Sequence, residues 1–383
     1  MKTALITFIT CLLTTFTFAQ TDAQKIEDAK ALITQKKYAS AFETLSSSND
    51  LSPELAITLA KLVTEHSLSV SKYQSWEMMD AGGSIKLFDL NVEGLLFGAI
   101  GKWPADCRLY EEQCRFYTFV LNNEGQYGSM ALLTALNKSV DQYIQPKCPS
   151  YLSDYVLGYT SLELGQLDNA IEYLKKSIAL NAGFAKAHLQ LGRAYLKQKN
   201  MASALATSRK AAELAVANKE RSGALLVAAQ AYEAMNDKAN ALKNYLAADS
   251  LKHGDFFVLK SLLNFYVKTN NNKAAETVNA FLTSQDRGKL SYYLDVYDIY
   301  AANGRLADLA MIYQKRLADF KGTKSVEACL NFALGKIYQT TNADLSKQYL
   351  RTAKGMGLEA KNITDTRTHP NTSKIVTEAY TAI

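Results

Sequence analysis

The chain is poor in the residues that break regular structure and in those that carry most enzyme chemistry. Five prolines and 19 glycines in 383 residues leave room for long helices and exclude collagen-like or Pro/Gly-rich disordered segments. The only histidines are His66, His188, His253 and His369, and none stands in an H-E-x-x-H arrangement. No Ser occupies a G-x-S-x-G elbow. Gly101-Lys102 ends like a phosphate loop. However, Leu96 replaces the upstream Gly, and Trp103 stands where Ser or Thr must hold magnesium. Gly94, Gly98 and Gly101 are expected to follow no strand and to make no dinucleotide loop. Glu111, Glu112 and Asp168 read as solvated helix charges, and His188 as a packing position. No catalytic motif, cofactor site or metal site follows from these residues.

Long apolar runs are also scarce. Ile85 to Ile100 is the most apolar internal stretch, and Lys86, Asp89, Asn91 and Glu93 interrupt it. Leu87, Phe88, Leu90, Leu95, Leu96, Phe97 and Ile100 within it read as core, with an oligomer or partner surface as the alternative. The other apolar segment is terminal. Met1-Lys2 supplies a positive start, an apolar Thr-rich run follows to Phe18, and Ala19 precedes Gln20. That order predicts a secretory signal peptide over residues 1–19, cleaved after Ala19. The run is shorter than the roughly 20 residues a spanning helix needs, so no stable membrane span is expected after cleavage. Removing these residues takes away Lys2 and lowers the formal charge from +6 to +5. This mild excess predicts no nucleic-acid binding, which needs basic residues gathered on one face. The expectation is an exported protein, periplasmic or secreted.

Export bears on the cysteines. Cys107 and Cys114 are seven apart in a helical pattern, about 10.5 Å along the axis, too far for a mutual disulfide. Pro146 and Pro149 place Cys148 in a loop. One disulfide from Cys107 or Cys114 to Cys148, or four free thiols counting Cys329, both remain open; metal binding lacks a C-x-x-C or a His cluster.

What the chain does have is a 34-residue period. Gly158 and Gly192 are that far apart, as are Ala170 and Ala204, Ala241 and Ala275, and then Tyr232, Tyr266 and Tyr300. Such a period marks a helical solenoid in which each unit buries its apolar face against its neighbours. The units run Ser153–Leu180, Ala185–Leu214, Ser222–Leu251, Phe256–Thr283, Leu290–Leu317 and Ala328–Ala353. The third starts three residues late, which predicts a lengthened loop at Asn218-Lys219-Glu220. Leu191-Gly192, Tyr195, Ala204 and Ala211 give Leu-Gly, an aromatic three residues on, then small residues in a second helix. In this the chain resembles the tetratricopeptide repeat (TPR) family, over about residues 151–355. Ala228-Ala229 and Leu262-Leu263 depart from the Leu-Gly pair, and Leu309 replaces a small residue. The resemblance implies an all-α fold, a right-handed α-solenoid of antiparallel helix pairs with an N-terminal helical region. The organisation expected is a signal peptide (1–19), an N-terminal helical region (20–146), an array of about six units (147–355), and a polar tail or capping helix (356–383). Ala29, Leu32, Tyr38, Ala41 and Leu45 suggest one more unit over residues 22–50. Ser52-Pro53-Glu54 starts a helix, and Ser84–Lys102, Asp106–Leu121 and Ser129–Ile144 read as further helices.

Function then enters by resemblance. In the family, first helices of successive units line a concave groove that holds a peptide or partner helix. Transferred here, the partner-binding candidates are Tyr155, Tyr159, Lys186, Arg193, Lys197, Gln230, Lys260, Asn264 and Lys268. Leu162, Leu189, Asp295 and Asp298 lie on the same faces. Some members clamp a carboxylate. Lys260 and Asn264 fit the start of that clamp, but Asp295 stands where Asn is needed, and Cys329 and Ala333 where Lys and Arg are needed. The reading is a non-enzymatic exported scaffold that binds a protein or peptide. Its alternatives are an oligomeric component of a cell-envelope complex, with homo-oligomers through Leu87–Ile100, and a ligand-binding or enzymatic accessory through residues 52–146.

Overall fold

The computed structural model describes residues 21–48, 51–71, 74–124, 129–363 and 369–383. The expected signal segment, with Cys11, lies outside them. Two compact units divide between Phe119 and Val120.

The first unit opens with a helix pair, α1 (Asp22–Thr34) and α2 (Tyr38–Ser46), closed over Ala29, Ala39, Ala41 and Leu45, all fully buried. Helix α3 (Pro53–His66) starts where Ser52 Oγ accepts from the Leu55 amide at 3.1 Å, with Pro53 in the first turn. A three-stranded antiparallel sheet follows: β1 (Ser69–Ser71), β2 (Ser75–Met79) and β3 (Ile85–Asp89), in that order, with Trp76 opposite Phe88. The expected helix over Ser84–Lys102 is therefore wrong in its first half. Residues 85–89 pair with β2, and Asn91 caps a separate helix α4 (Val92–Lys102) by accepting from the Gly94 amide at 2.9 Å. The strand signal is in β2, where Trp76 and Met78 alternate inward with no exposure. Trp76 Nε1 donates to the Leu90 carbonyl at 2.8 Å, which fixes the hairpin. The apolar run is not all core. Leu96 and Ile100 are buried, but Leu87 is 66% exposed. The final helix, α5 (Cys107–Glu124), starts in this unit.

The second unit is the repeat array. Helix α6 (Met130–Ser139) runs into a π-helical turn, Val140–Ile144. Six antiparallel pairs follow: α7 (Tyr151–Glu163) with α8 (Leu167–Leu180), α9 (Ala185–Lys197) with α10 (Met201–Leu214), and α11 (Asn218–Ala234) with α12 (Lys238–Leu251). Then come α13 (Phe256–Lys268) with α14 (Ala274–Ser284), α15 (Leu290–Ala302) with α16 (Leu306–Asp319), and α17 (Lys324–Tyr338) with α18 (Ala343–Gly355). Helix α19 (Thr372–Thr381) closes the chain. The architecture is an all-α solenoid of packed helix pairs.

The turn inside five of the pairs is the same turn. Gly165, Lys199, Asn236, Asn270 and Gly304 each adopt positive φ, between 54° and 81°. The next amide closes back five residues, as in Asn200 to the Tyr195 carbonyl, Asn271 to Tyr266 and Arg305 to Tyr300, at 2.8 to 2.9 Å. This is the Schellman closure, and it accounts for the periodic Gly and Asn. Lys36, with φ 59° and a Lys37-to-Leu32 bond of 2.9 Å, repeats it between α1 and α2. Small residues mark closest approach: a Cβ at Gly158 would lie 2.6 Å from Leu174 Cγ. The third repeat departs from expectation, because Asn218-Lys219-Glu220 form the first turn of a 17-residue α11 and not a loop.

Cys107 and Cys148 each stand in a disulfide, and Cys114 and Cys329 are buried thiols.

Candidate functional site

Side chains about one period apart meet across neighbouring first helices, and most expected groove residues are used in such contacts. Lys260 Nζ binds Asp295 Oδ1 at 2.5 Å, with Asp295 fully buried. Lys268 binds Glu233 at 3.0 Å, and Asn264 Oδ1 accepts from Asn303 Nδ2 at 3.4 Å. Gln230 donates to Ser261 Oγ at 3.2 Å, and Lys197 to the Leu162 carbonyl at 3.3 Å. The ridge read as Lys260, Asn264 and Lys268 is thus largely neutralised from within. Asp295 and Asp298 are engaged as well: His369 Nε2 lies 3.6 Å from Asp295 Oδ1 and 3.1 Å from Asp298 Oδ2. His188 packs as expected, its Nε2 3.0 Å from the Ala182 carbonyl.

The candidate residues fall into two cavities. Gln230, Lys260, Asn264 and Lys268 line a shallow one of about 460 Å³ with Phe257 and Tyr245. Tyr155, Tyr159, Lys186 and Arg193 line a deeper one of about 390 Å³, which the ends of α11 and α13 complete. Lys197 lines neither. In the deeper cavity Tyr155 and Tyr159 are 1% and 4% exposed, so they form a floor and not an open face. Tyr155 meets Phe184 edge-on at 5.0 Å, and burial raises its hydroxyl pKa.

The charges above this floor are incompletely matched. Burial pushes the Lys186 ammonium below its ordinary pKa, while its nearest carboxylate, Glu220, is 3.9 Å away. Glu220 Oε2 is itself buried without a hydrogen-bond partner. Arg193 reaches only Gln190 Oε1, at 3.4 Å, and no carboxylate lies within 4.0 Å of it among the described residues. Lys219 donates to the Asn122 carbonyl at 3.0 Å, and Lys252 is held by Asp255 at 2.5 Å. Gln190, Lys219, Glu220, Lys252 and Phe256 were not anticipated from the sequence. The signal for them was the repeat offset, which places α11 and the α12–α13 loop beside Lys186.

Among the described residues no group of three His, Cys, Asp or Glu could hold a metal ion, and no helix is long and apolar enough to cross a membrane.

Residues 161–215, from the end of α7 to just past α10, match the family model of a tetratricopeptide repeat. No curated protein matches the chain. Among solved structures, a chain of the APC/C hetero-tetramer Cut9–Hcn1 is similar with a TM-score of 0.42 and 14% identity. The match covers 89% of this chain and 58% of that one, so this chain spans less than two thirds of its length. TTC0263, a thermophilic TPR protein of Thermus thermophilus, gives 0.37 and 17%, covering 53% of this chain and 98% of that one. YrrB, described as a TPR protein with an unusual peptide-binding site, gives 0.35 and 13%, covering 56% and 99%.

Proposed function

We propose that this chain is an exported, non-enzymatic scaffold that binds a protein or peptide partner in the cavity of α7, α9 and α11. The observation that carries the reading is Arg193, a guanidinium at an aromatic-floored cavity with no carboxylate of its own. A partner carboxylate would supply the bidentate pairing that arginine geometry favours. Tyr159, Leu189, Leu226 and Phe256 offer apolar lining to the neighbouring partner side chain. Lys186, partly desolvated before any partner arrives, gains more from a bound carboxylate than a solvated lysine would.

The test is affinity capture from cell-envelope extract with residues 20–383, beside Arg193→Glu and, for the shallow cavity, Lys268→Glu. A partner held by wild type and Lys268→Glu but lost by Arg193→Glu supports the assignment. An unchanged set of captured proteins in Arg193→Glu removes it. Export is checked separately by the mass of the mature protein, which should begin at Gln20.

A second reading, self-association, is favoured by one feature of the first unit. Ile85 and Leu87 point to the same side of the edge strand β3, 57% and 66% exposed. Such an edge invites pairing with another copy. Sedimentation velocity of wild type and Leu87→Lys decides it: a monomer in both ends this reading.

A further inference from the structure

The N-terminal unit has a cavity of its own, about 440 Å³, lined by α1, α3 and α5. Four carboxylates and four Lys or Arg side chains line it, so its formal charge balances. A ligand of strong net charge gains nothing from such a lining, whereas one that carries both signs does.

Most of these charges satisfy one another. Arg108 binds Glu54 at 2.7 Å and Asp106 at 2.6 Å. Arg115 binds Glu111 at 2.9 Å and Glu112 Oε2 at 3.2 Å. Two groups are left over. Glu112, read from the sequence as a solvated charge, is 2% exposed, and its Oε1 is buried with no hydrogen-bond partner. Lys61, exposed on α3, has no carboxylate within 4.0 Å among the described residues. Glu65 stands one turn from Lys61 on the same face, with the His66 imidazole 3.9 Å from its carboxylate. The cavity therefore holds one unused buried acceptor and one unused cation at its surface. A buried carboxylate oxygen without a donor is costly, and native structures rarely keep one without a reason.

We propose that this cavity binds a small zwitterion, an α-amino acid or a dipeptide, whose ammonium group donates to Glu112 Oε1 and whose carboxylate meets Lys61. The volume lies within the range of small-molecule sites, roughly 300–1,000 Å³. Apolar contact for a side chain comes from Ile33, Ile57 and Leu62. The proposal does not rest on the repeat groove, which belongs to the other unit.

Burial raises the Glu112 carboxyl to about 7, against the downward pull of Arg115 and Lys61 and with Glu65 adding to the rise. An arriving ammonium would favour the ionised form. Binding near neutral pH should then release part of a proton.

The experiment is isothermal titration calorimetry of residues 20–383 at pH 7, in two buffers of different ionisation enthalpy. The probes are the common L-amino acids and glycylglycine, with ethylamine and acetate as half-ligands. At least one amino acid or the dipeptide should saturate the site, more tightly than either half-ligand. Its heat should depend on the buffer through proton release. Glu112→Gln should weaken it about tenfold or more and abolish the proton release. Because Glu112 is buried, the exposed Lys61→Ala is the independent check, with a similar loss and an intact fold. The proposal is overturned if no probe gives saturable heat, if ethylamine binds as tightly as the zwitterions, or if Lys61→Ala leaves the affinity unchanged.

Discussion

Gly158 and Gly192 occupy the same place in successive repeats, 34 residues apart, yet alanine should have opposite effects at the two. A Cβ at 158 would lie 2.6 Å from Leu174 Cγ, 3.0 Å from its Cδ2 and 3.1 Å from its backbone nitrogen. Leu174 is fully buried, so its side chain has nowhere to turn, and the backbone contact can be relieved only by moving α8 from α7. Such overpacking costs about 1–3 kcal/mol. The helix propensity gained from Gly to Ala returns about 1 kcal/mol. The net expectation for Gly158→Ala is a loss of up to about 2 kcal/mol. At 192 the nearest atoms are Thr207 Oγ1 at 3.2 Å, Val227 Cγ1 at 3.4 Å and the Ala204 carbonyl at 3.5 Å. A shift of a few tenths of an ångström in two side-chain tips accommodates the methyl, so Gly192→Ala should be neutral or stabilising by up to about 1 kcal/mol. Thermal and urea unfolding followed by far-UV circular dichroism check this. Each kcal/mol corresponds to about 2–4 °C in a domain of this size class. If Gly158→Ala unfolds at or above wild type, or below it only as far as Gly192→Ala does, the account of closest approach is wrong.

Two further stability measurements follow from buried charge. Lys260→Ala leaves Asp295, fully buried, without its 2.5 Å partner, and should cost about 3 kcal/mol in urea unfolding. Replacing both residues by apolar ones should restore much of that, and a Lys260→Ala effect below experimental error would mean that the pair contributes nothing. Glu112 makes the first unit pH-sensitive. Its folded carboxyl titrates near 7 against an ordinary 4.5, so the folded state keeps a proton that the unfolded chain releases. The stabilising effect is fully present below about 4.5 and is lost as pH rises through 7. Between pH 4.5 and pH 8 it should fall by about 3 kcal/mol. Glu112→Gln should flatten that slope in parallel urea titrations at pH 5 and pH 8, and an unchanged slope would assign the pH dependence to other groups.

The repeat array was legible because one physical requirement recurs at each step. Two helices can approach closely only over a small residue, and the chain can reverse only through a left-handed one; Gly158, Ala170, Ala204, Gly165, Asn236 and Gly304 announce both. The sheet was not legible, because residues 85–89 adjoin the apolar start of α4 and together they imitate one helix. The cue in the preceding strand, Trp76 and Met78 inward with Ser75 and Glu77 between them, is only five residues long. The groove charges were a different kind of omission. Taken singly, the lysines of the first helices look solvated. Taken at the offset between neighbouring first helices they have partners: Lys260 with Asp295 and Lys268 with Glu233 are each 35 residues apart, as is Lys197 from Leu162. Applied to Arg193, that offset lands on Gly158 in the repeat before. With the three residues that extend the third repeat, it lands on Ala231 in the repeat after, and neither carries a charge. The same arithmetic that marks Lys260 and Lys268 as internal ties therefore gives Arg193 no charged partner at that offset.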